Sequence, residues 1–436
     1  MKKPSLLVIF LTVFIDLIGF GIVLPLLPIY ANRFGQGFDA TTLGIIVGAL
    51  MASFSAMQFL FAAWWGRLSD RIGRRPVLLV STAGAAMSYA VFALGSGLTG
   101  TTALAVLFAS RIVAGICGAN ITVAQAYIAD ITPPESRSKR MGLVGMAFGL
   151  GFTFGPYIGS KSFEYFGITG PGWVAASLCA LNFILAVVIL PESLKPSSEH
   201  VAQRPRFSQW SHTLSQPKVG LLIMIFFIAT FCFTCFETTL GLLVGKNFHL
   251  DIRKGEDANT IGKLFMYCGI MGALVQGGAV GRMVKKMGEP KLIAFSLFLV
   301  AISLAPLPFI HGNMSFSWKG LFQQGSGPWW TLFFFLGLLA IGSGLTRPPV
   351  FGLISILTPA HEQGATLGVA QGVGSLARII GPIFASTLFY QSASIPYLIC
   401  GGVALFAALW AWLTLGKTTE LPAAGGLAPT ESGKIP

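Results

Sequence analysis

Apolar residues in this 436-residue chain gather into long runs and do not form stripes. Twelve runs stand out, near 6–28, 43–64, 77–97, 103–127, 141–163, 171–190, 219–243, 261–281, 292–311, 331–355, 365–389 and 395–415. At ~1.5 Å per residue, a helix of about 20 residues crosses the ~30 Å hydrocarbon core of a bilayer. The pattern predicts an all-α integral membrane protein with twelve transmembrane helices. The first run is too long for a signal-peptide core and lacks a small-residue cleavage site, so it is expected to stay as a span.

Polar segments organise the runs. Residues 191–217, PESLKPSSEHVAQRPRFSQWSHTLSQP, form the longest polar stretch between spans and read as a cytoplasmic linker. It separates a six-helix half over 1–190 from a second over 218–416. The tail 417–436, rich in Pro, Gly and Ala, is expected to be disordered. The halves repeat each other. GRLSDRIG at 66–73 returns as GRMVKKMG at 281–288. TP at 132–133, Gly142 and GP at 155–156 return as TP at 358–359, Gly368 and GP at 381–382. Two parallel six-span repeats describe a pseudo-symmetric transporter with its site between the halves, near the midplane.

Composition agrees with this reading. The chain is 54% hydrophobic and only 10% charged, whereas a soluble protein carries about a quarter charged residues. Its net charge of +13 could suit nucleic acid, but the distribution argues otherwise. With the N-terminus in the cytoplasm, inside segments hold 19 Lys and Arg and outside segments hold 7. This positive-inside bias sets both termini in the cytoplasm of a cell inner membrane. The expected partners are a small-molecule substrate, protons and the bilayer, with no nucleic acid, and the expected state is a monomer. All six cysteines fall inside spans, so the CxxC of Cys232 and Cys235 reads as small apolar wall residues. The five histidines lack ligand spacing, so neither metal nor cofactor is expected.

Charges inside the runs are few. Asp16 lies at the middle of the first, flanked by Gly19 and Gly21, with Thr12 on its face. Glu237 shares a face of the seventh with Thr230 and Thr234. An embedded charge costs at least ~2.5 kcal/mol on insertion scales, so its default reading is functional. Arg111 heads a stripe continued by Gly115, Gly118, Thr122 and Gln125 at helical spacing, with a structural salt bridge as its alternative role. Asn120 falls on the opposite face and reads as a helix–helix contact. Gln371, Ser375 and Arg378 share a face of the eleventh run, and such stripes suit a wet cavity. Arg347, followed by Pro348 and Pro349, either snorkels or marks a helix break.

Four longer motifs carry a family resemblance: GRLSDRIGRRPVLL (66–79), RIVAGICGANITVAQAYIAD (111–130), GMAFGLGFTFGPYIG (145–159) and LPES (190–193). Together they resemble signatures of the major facilitator superfamily, specifically its twelve-span drug:proton antiporters. DLIGFGIVLPLLP (16–28) and AYIADITPPESR (126–137) look most like the tetracycline-efflux branch. The resemblance implies a gating latch of Gly66, Asp70, Arg71, Gly73, Arg74, Arg75 and Asp130. In it Asp70 braces the opposite half and an arginine meets Asp130, holding the outward-open state. Gly66 and Gly73 are expected to form the tight turn. Gly145, Gly149, Gly151, Gly155, Pro156 and Gly159 resemble the family's antiporter motif, and glycine packing alone would give the same composition.

The energy source follows from what the chain lacks. GKT at 416–418 has Ala411 where a phosphate-cradling loop requires its first glycine, so an ion gradient is expected. Asp16 and Glu237 are the only acids deep in the runs, hence the expected proton carriers, with Arg111 and Arg378 as their expected partners. The reading is an exporter of small amphipathic or lipophilic compounds in exchange for protons, by alternating access. A proton-coupled importer or facilitator of sugars or other metabolites is the alternative. Ser88 stands where the tetracycline exporters carry a third-span acid, and the ninth run has none. The expected compounds are drug or tetracycline-like, with tetracycline itself set apart by these missing acids.

The charge argument predicts that cysteines introduced over 195–215 are labelled only from the cytoplasm, and those over 249–258 only from outside. Lys246, Arg253, Lys254 and Lys263 make the second region its hardest test. Labelling from the other face would reverse the orientation.

Overall fold

A computed structural model describes residues 5–118, 120–194, 206–251, 254–312, 316, 321, 325–359 and 362–415. Twelve helices are long and apolar enough to cross a membrane, and the described residues form no β-strand. Spans 1–6 are Leu6–Phe34, Ala40–Ile72, Arg74–Ser96, Gly100–Asp130, Leu143–Phe166 and Gly170–Ile189. Spans 7–12 are Pro217–Asn247, Gly255–Met287, Glu289–Phe309, Gly327–Leu357, Ala365–Gln391 and Ile395–Leu415. Both described ends of the chain lie on one face, here the terminal face; the other is the distal face.

Every run became a helix, but several helices outrun the apolar stretch that predicted them. Span 2 has 33 residues, about 50 Å of helix, because polar ends continue it past the hydrocarbon. Asp39 starts it by accepting the Thr41 and Thr42 backbone N–H groups, both at 3.1 Å. The span runs on to Ile72, so Gly66 sits inside the helix and the expected turn there does not exist. The turn falls at Gly73 alone, with φ +100°, a conformation side chains avoid. Its repeat equivalent Gly288 has φ +75°. The polar linker also holds a short helix, Arg206–Ser215, that its composition did not announce. Residues 195–205 and the tail 417–436 lie outside the described residues.

Packing follows the repeat. Among the first six spans, 1 packs on 5 and 6, 3 on 4 and 6, and 2 on 4. The same pairs recur among the last six, as 7 on 11 and 12, 9 on 10 and 12, and 8 on 10. The two groups meet mainly through span 2 against span 11 and span 5 against span 8, two antiparallel seams that exchange places under the repeat.

Both seams close toward the distal face. At Gly44 a Cβ would lie 2.9 Å from the Ser386 carbonyl oxygen, and at Gly48 it would overlap Ile383. Ser386 Oγ donates to the Gly44 carbonyl at 2.7 Å. On the other seam Gly262 has no room for a Cβ beside Ser160, and Gly269 would meet Thr153 Cα at 2.6 Å. Ser160 Oγ reaches Asn259 Oδ1 at 3.5 Å. Ser160 and Ser386 are repeat equivalents, as are Gly44 and Asn259. Closeness ends toward the terminal face. On the same four helices Gly66, Gly145, Gly149, Gly272, Gly277, Gly278 and Gly368 have nothing within 4 Å of a Cβ position. At the margin of the first seam Trp210 of the linker helix lies against Gly372 and stands edge-on to Phe59, with centroids 6.0 Å apart. The halves are joined distally and part toward the terminal face.

If glycine closes the seam, Gly48→Leu should hold it open. Overpacking costs ~1–3 kcal/mol, so a cysteine replacing the buried Ser386 should react about tenfold faster or more with an impermeant maleimide from the distal side. An unchanged rate would show that this seam is not the closing surface.

Candidate functional site

Arg111 is fully buried, and among the described residues none of its three side-chain nitrogens has a hydrogen-bond partner. Its guanidinium instead lies 4.8 Å from the Phe54 ring centroid and 5.7 Å from that of Phe20, the geometry of cation–π contact. Tyr89 on span 3 is its electrostatic neighbour. The stripe below it packs against span 2. Gly115 admits the Phe54 backbone, Gly118 the Phe54 ring, and Gln58 Nε2 donates to the Gly118 carbonyl at 2.9 Å. Thr122 Oγ1 donates to the Ala62 carbonyl at 3.2 Å, and Gln125 is half-buried. The upper stripe is therefore a helix-docking face, while the exposed Thr122 and the half-buried Gln125 lie where the halves part.

Asp16 is not on Arg111. Asn120 Nδ2 donates to Asp16 Oδ2 at 3.1 Å. Span 1 extends to Phe34, so Asp16 lies about 6 Å to the terminal side of its middle, and Arg111 about 6 Å to the distal side of its own. The run limits in the sequence already set Arg111 outward of Asp16, and the longer first span widens that offset. The Asn120 N–H closes a turn on the Cys117 carbonyl at 3.3 Å. Asn120, read as a packing residue, is Asp16's partner. Its place opposite Arg111 was legible; its depth beside Asp16 was not.

The second half holds a matching group. Arg347 Nη2 approaches Gln371 Oε1 at 3.5 Å, and Arg378 Nη2 donates to Ser375 Oγ at 3.2 Å. Ser375 Oγ donates to the Gln371 carbonyl at 3.1 Å. The Gln371, Ser375 and Arg378 stripe is thus one network, with Arg347 joined to it from span 10. Span 10 continues unbroken through Pro348 and Pro349, so Arg347 marks no helix break; it points inward beside Phe226 and Phe351, 5.8 and 5.5 Å from their centroids. Glu237 is buried, without a hydrogen bond among the described residues, and feels Arg378 electrostatically. No ion pair joins them, since Glu237 lies about 7–8 Å nearer the distal face by helix rise. Thr234 Oγ1 donates to the Thr230 carbonyl at 2.7 Å, so it caps its own helix turn and does not face open space.

At the terminal face the expected latch forms within one half. Arg74 bonds Asp70, which is more than half exposed, and Nε of Arg74 meets Asp130 Oδ2 at 3.2 Å. Ser193 Oγ donates to the same Asp130 oxygen at 2.9 Å. Glu192, which the LPES motif contained but no role singled out, accepts the backbone N–H of Arg74, Arg75, Ser193 and Leu194 at 2.9–3.0 Å. Partial burial would raise the Glu192 carboxyl, but these four donors prevail and hold it below the ordinary value. Arg75 binds the Leu190 and Val187 carbonyls at 2.7 and 2.9 Å, capping span 6. Among the described residues the expected brace from Asp70 to the opposite half is absent: its partner is Arg74, one turn along, and Arg71 is exposed. No hydrogen bond or ion pair joins Asp70 to spans 7–12 among the described residues.

The span 5 glycines divide by position. Gly151, Gly155 and Gly159 take the backbone of Leu17, Gly21 and Ile22 from span 1, while Gly145 and Gly149 face open space. Pro156 lies within the helix, its carbonyl against Gly262 of span 8. All six cysteines are free, and the described residues offer no group of three His, Cys, Asp or Glu placed to hold a metal.

Comparison with known proteins agrees with this architecture. The family model of the Major Facilitator Superfamily matches residues 9–323. The class E tetracycline resistance protein of Escherichia coli is 33% identical over 384 residues, 86% of each chain. The Major facilitator superfamily domain-containing protein 10 of Bos taurus is 28% identical, covering 91% of this chain and 90% of its own. Among solved structures, the human organic anion transporter MFSD10 covers 94% of this chain and all of its own, with 24% identity and a TM-score of 0.65. A D-xylose-proton symporter covers 93% of this chain and 96% of its own, with 17% identity and a TM-score of 0.71. With twelve spans in two repeats and charged groups held between them, the chain belongs to the major facilitator superfamily and is a membrane transporter, not an enzyme.

Proposed function

We propose that this transporter exports small amphipathic or lipophilic compounds in exchange for protons, by alternating access in a bacterial inner membrane. The observation that carries the reading is the pair of carboxylates held inside the spans without an arginine ion pair. Asp16 rests on a neutral amide and Glu237 has no hydrogen-bond partner among the described residues. A carboxylate so placed is tolerable when protonated and costly when ionised. Movement of the halves changes its surroundings, so loading and release of a proton are tied to that movement.

Asp16 is the principal carrier in this account. It lies toward the face where the halves part, so a proton it carries can leave there. Arg111 is the partner that favours its ionised form after the spans shift, and Asn120 holds it between shifts. Each proton moving down 100 mV supplies ~2.3 kcal/mol. The relation to tetracycline resistance proteins supports export as the direction. The absence of their third-span acid, with Ser88 donating to the Ala85 carbonyl at 2.8 Å in its place, supports a different compound.

The test begins with a susceptibility panel in cells lacking their own pumps, which names a transported compound. In everted vesicles with an acidified lumen, that compound should then release protons from the wild-type protein, read by a pH-sensitive dye. Asp16→Asn should still bind the compound and release none. Equal proton release by Asp16→Asn would remove Asp16 as the carrier, and inward accumulation with the gradient in intact cells would replace export with import.

A further inference from the structure

The middle of the spans holds three arginines, Arg111, Arg347 and Arg378, against two carboxylates, Asp16 and Glu237. Positive charge is in excess whatever protons the acids carry. Arg111 is sealed between aromatic rings, but Arg347 and Arg378 are only half-buried at mid-membrane depth. Exposure there means either lipid or the space between the halves. A guanidinium in lipid is too costly, and the Arg347–Gln371–Ser375–Arg378 network turns both inward.

These two cations repel each other, and neither has an ion pair among the described residues. Each guanidinium presents a fork of N–H donors suited to a carboxylate, sulfonate or phosphate. Their depths set an order. Arg347 lies about 7 Å to the terminal side of its span's middle, Arg378 at the middle of its own, and Glu237 about 7 Å to the distal side. A molecule entering where the halves part meets Arg347, then Arg378, and reaches Glu237 last. Beside Arg347 the half-buried Phe351 stands edge to face with the buried Phe226, their centroids 4.9 Å apart.

We infer that Arg347 and Arg378 form an anion-binding subsite that takes the acidic group of an amphipathic organic anion, with Phe226 and Phe351 beside its apolar part. This rests on the reading of the chain as an exporter of small amphipathic compounds and assigns the charge class of its substrate. Glu237 competes with that anion for Arg378.

Equilibrium binding to the purified full-length protein in phosphatidylcholine nanodiscs tests the subsite with three matched probes. They are 1-naphthalenesulfonate, neutral 1-naphthylmethanol and cationic 1-naphthylmethylammonium. The sulfonate should bind about tenfold tighter than either other probe, as hydrogen bonds to charged groups allow. Arg347→Gln and Arg378→Gln should each lose about tenfold for the sulfonate and leave the alcohol unchanged, which also shows that each variant is folded. Arg347→Lys should retain more sulfonate binding than Arg347→Gln. Glu237→Gln, which removes the competitor, should tighten it severalfold. Preference for the cation, or sulfonate binding indifferent to both Gln variants, would overturn the subsite. No gradient is involved, so loss of proton exchange in vesicles would count against the exporter reading and leave this result standing.

Discussion

Everything in this structure depends on how closely four helices can approach. Spans 2, 5, 8 and 11 meet in two seams, and where they meet there is no room for a Cβ at Gly48 or Gly262. Lipid tails are as apolar as leucine, so helices in a bilayer associate through close packing and buried hydrogen bonds. Ser386 and Ser160 add one polar contact to each seam at equivalent places. The distal face is therefore held by contact that is tight and short. Toward the terminal face the same helices lose contact, and the space between the halves begins.

The embedded charges are distributed around that space in a way the seams make intelligible. Arg111 and Asp16 belong to the first half, while Arg347, Arg378 and Glu237 belong to the second, so neither group crosses a seam. Arg347 and Arg378, only half-buried, can change their surroundings when the halves rock, without breaking the packing inside a half. The terminal-face cluster is built the same way. Asp70, Arg74, Asp130, Ser193 and Glu192 tie spans 2, 3 and 4 to the segment after span 6, stiffening one half as a body. Asp70 is left exposed at its edge, paired with Arg74.

Much of this was legible in the sequence, and the failures have physical causes. Long apolar runs gave all twelve spans, because no other pattern satisfies the backbone in lipid. The repeated motifs anticipated the paired packing of the halves. Helix ends were less legible: polar residues extend a helix into the headgroups without an apolar signal, as from Gln58 toward Ile72. That shift carried into the site: the full length of span 1 sets Asp16 further to the terminal side of Arg111 than its run implied, and its partner is Asn120. Face assignments by helical spacing succeeded for Gln371, Ser375 and Arg378. For Gly115 and Gly118 spacing gave the face but not its neighbour, since small residues serve a cavity wall and a docked helix alike. Glu192 lay in a quoted motif, but nothing in LPES says that its carboxylate gathers four backbone donors. The linker helix was missed because ten mostly polar residues carry no periodic signal strong enough to announce it.

The central claim is that the two faces open in alternation about these seams. Distances between spin labels test it most directly, measured by double electron–electron resonance on the wild-type background in nanodiscs. One pair, at Arg71 and Lys286, spans the terminal face; another, at Thr41 and Gln391, spans the distal face. The account predicts two populations in each pair that shift in opposite senses across the pH range, the terminal distance shortening as the distal one lengthens. A single fixed distance in either pair, or both distances changing in the same sense, would contradict it.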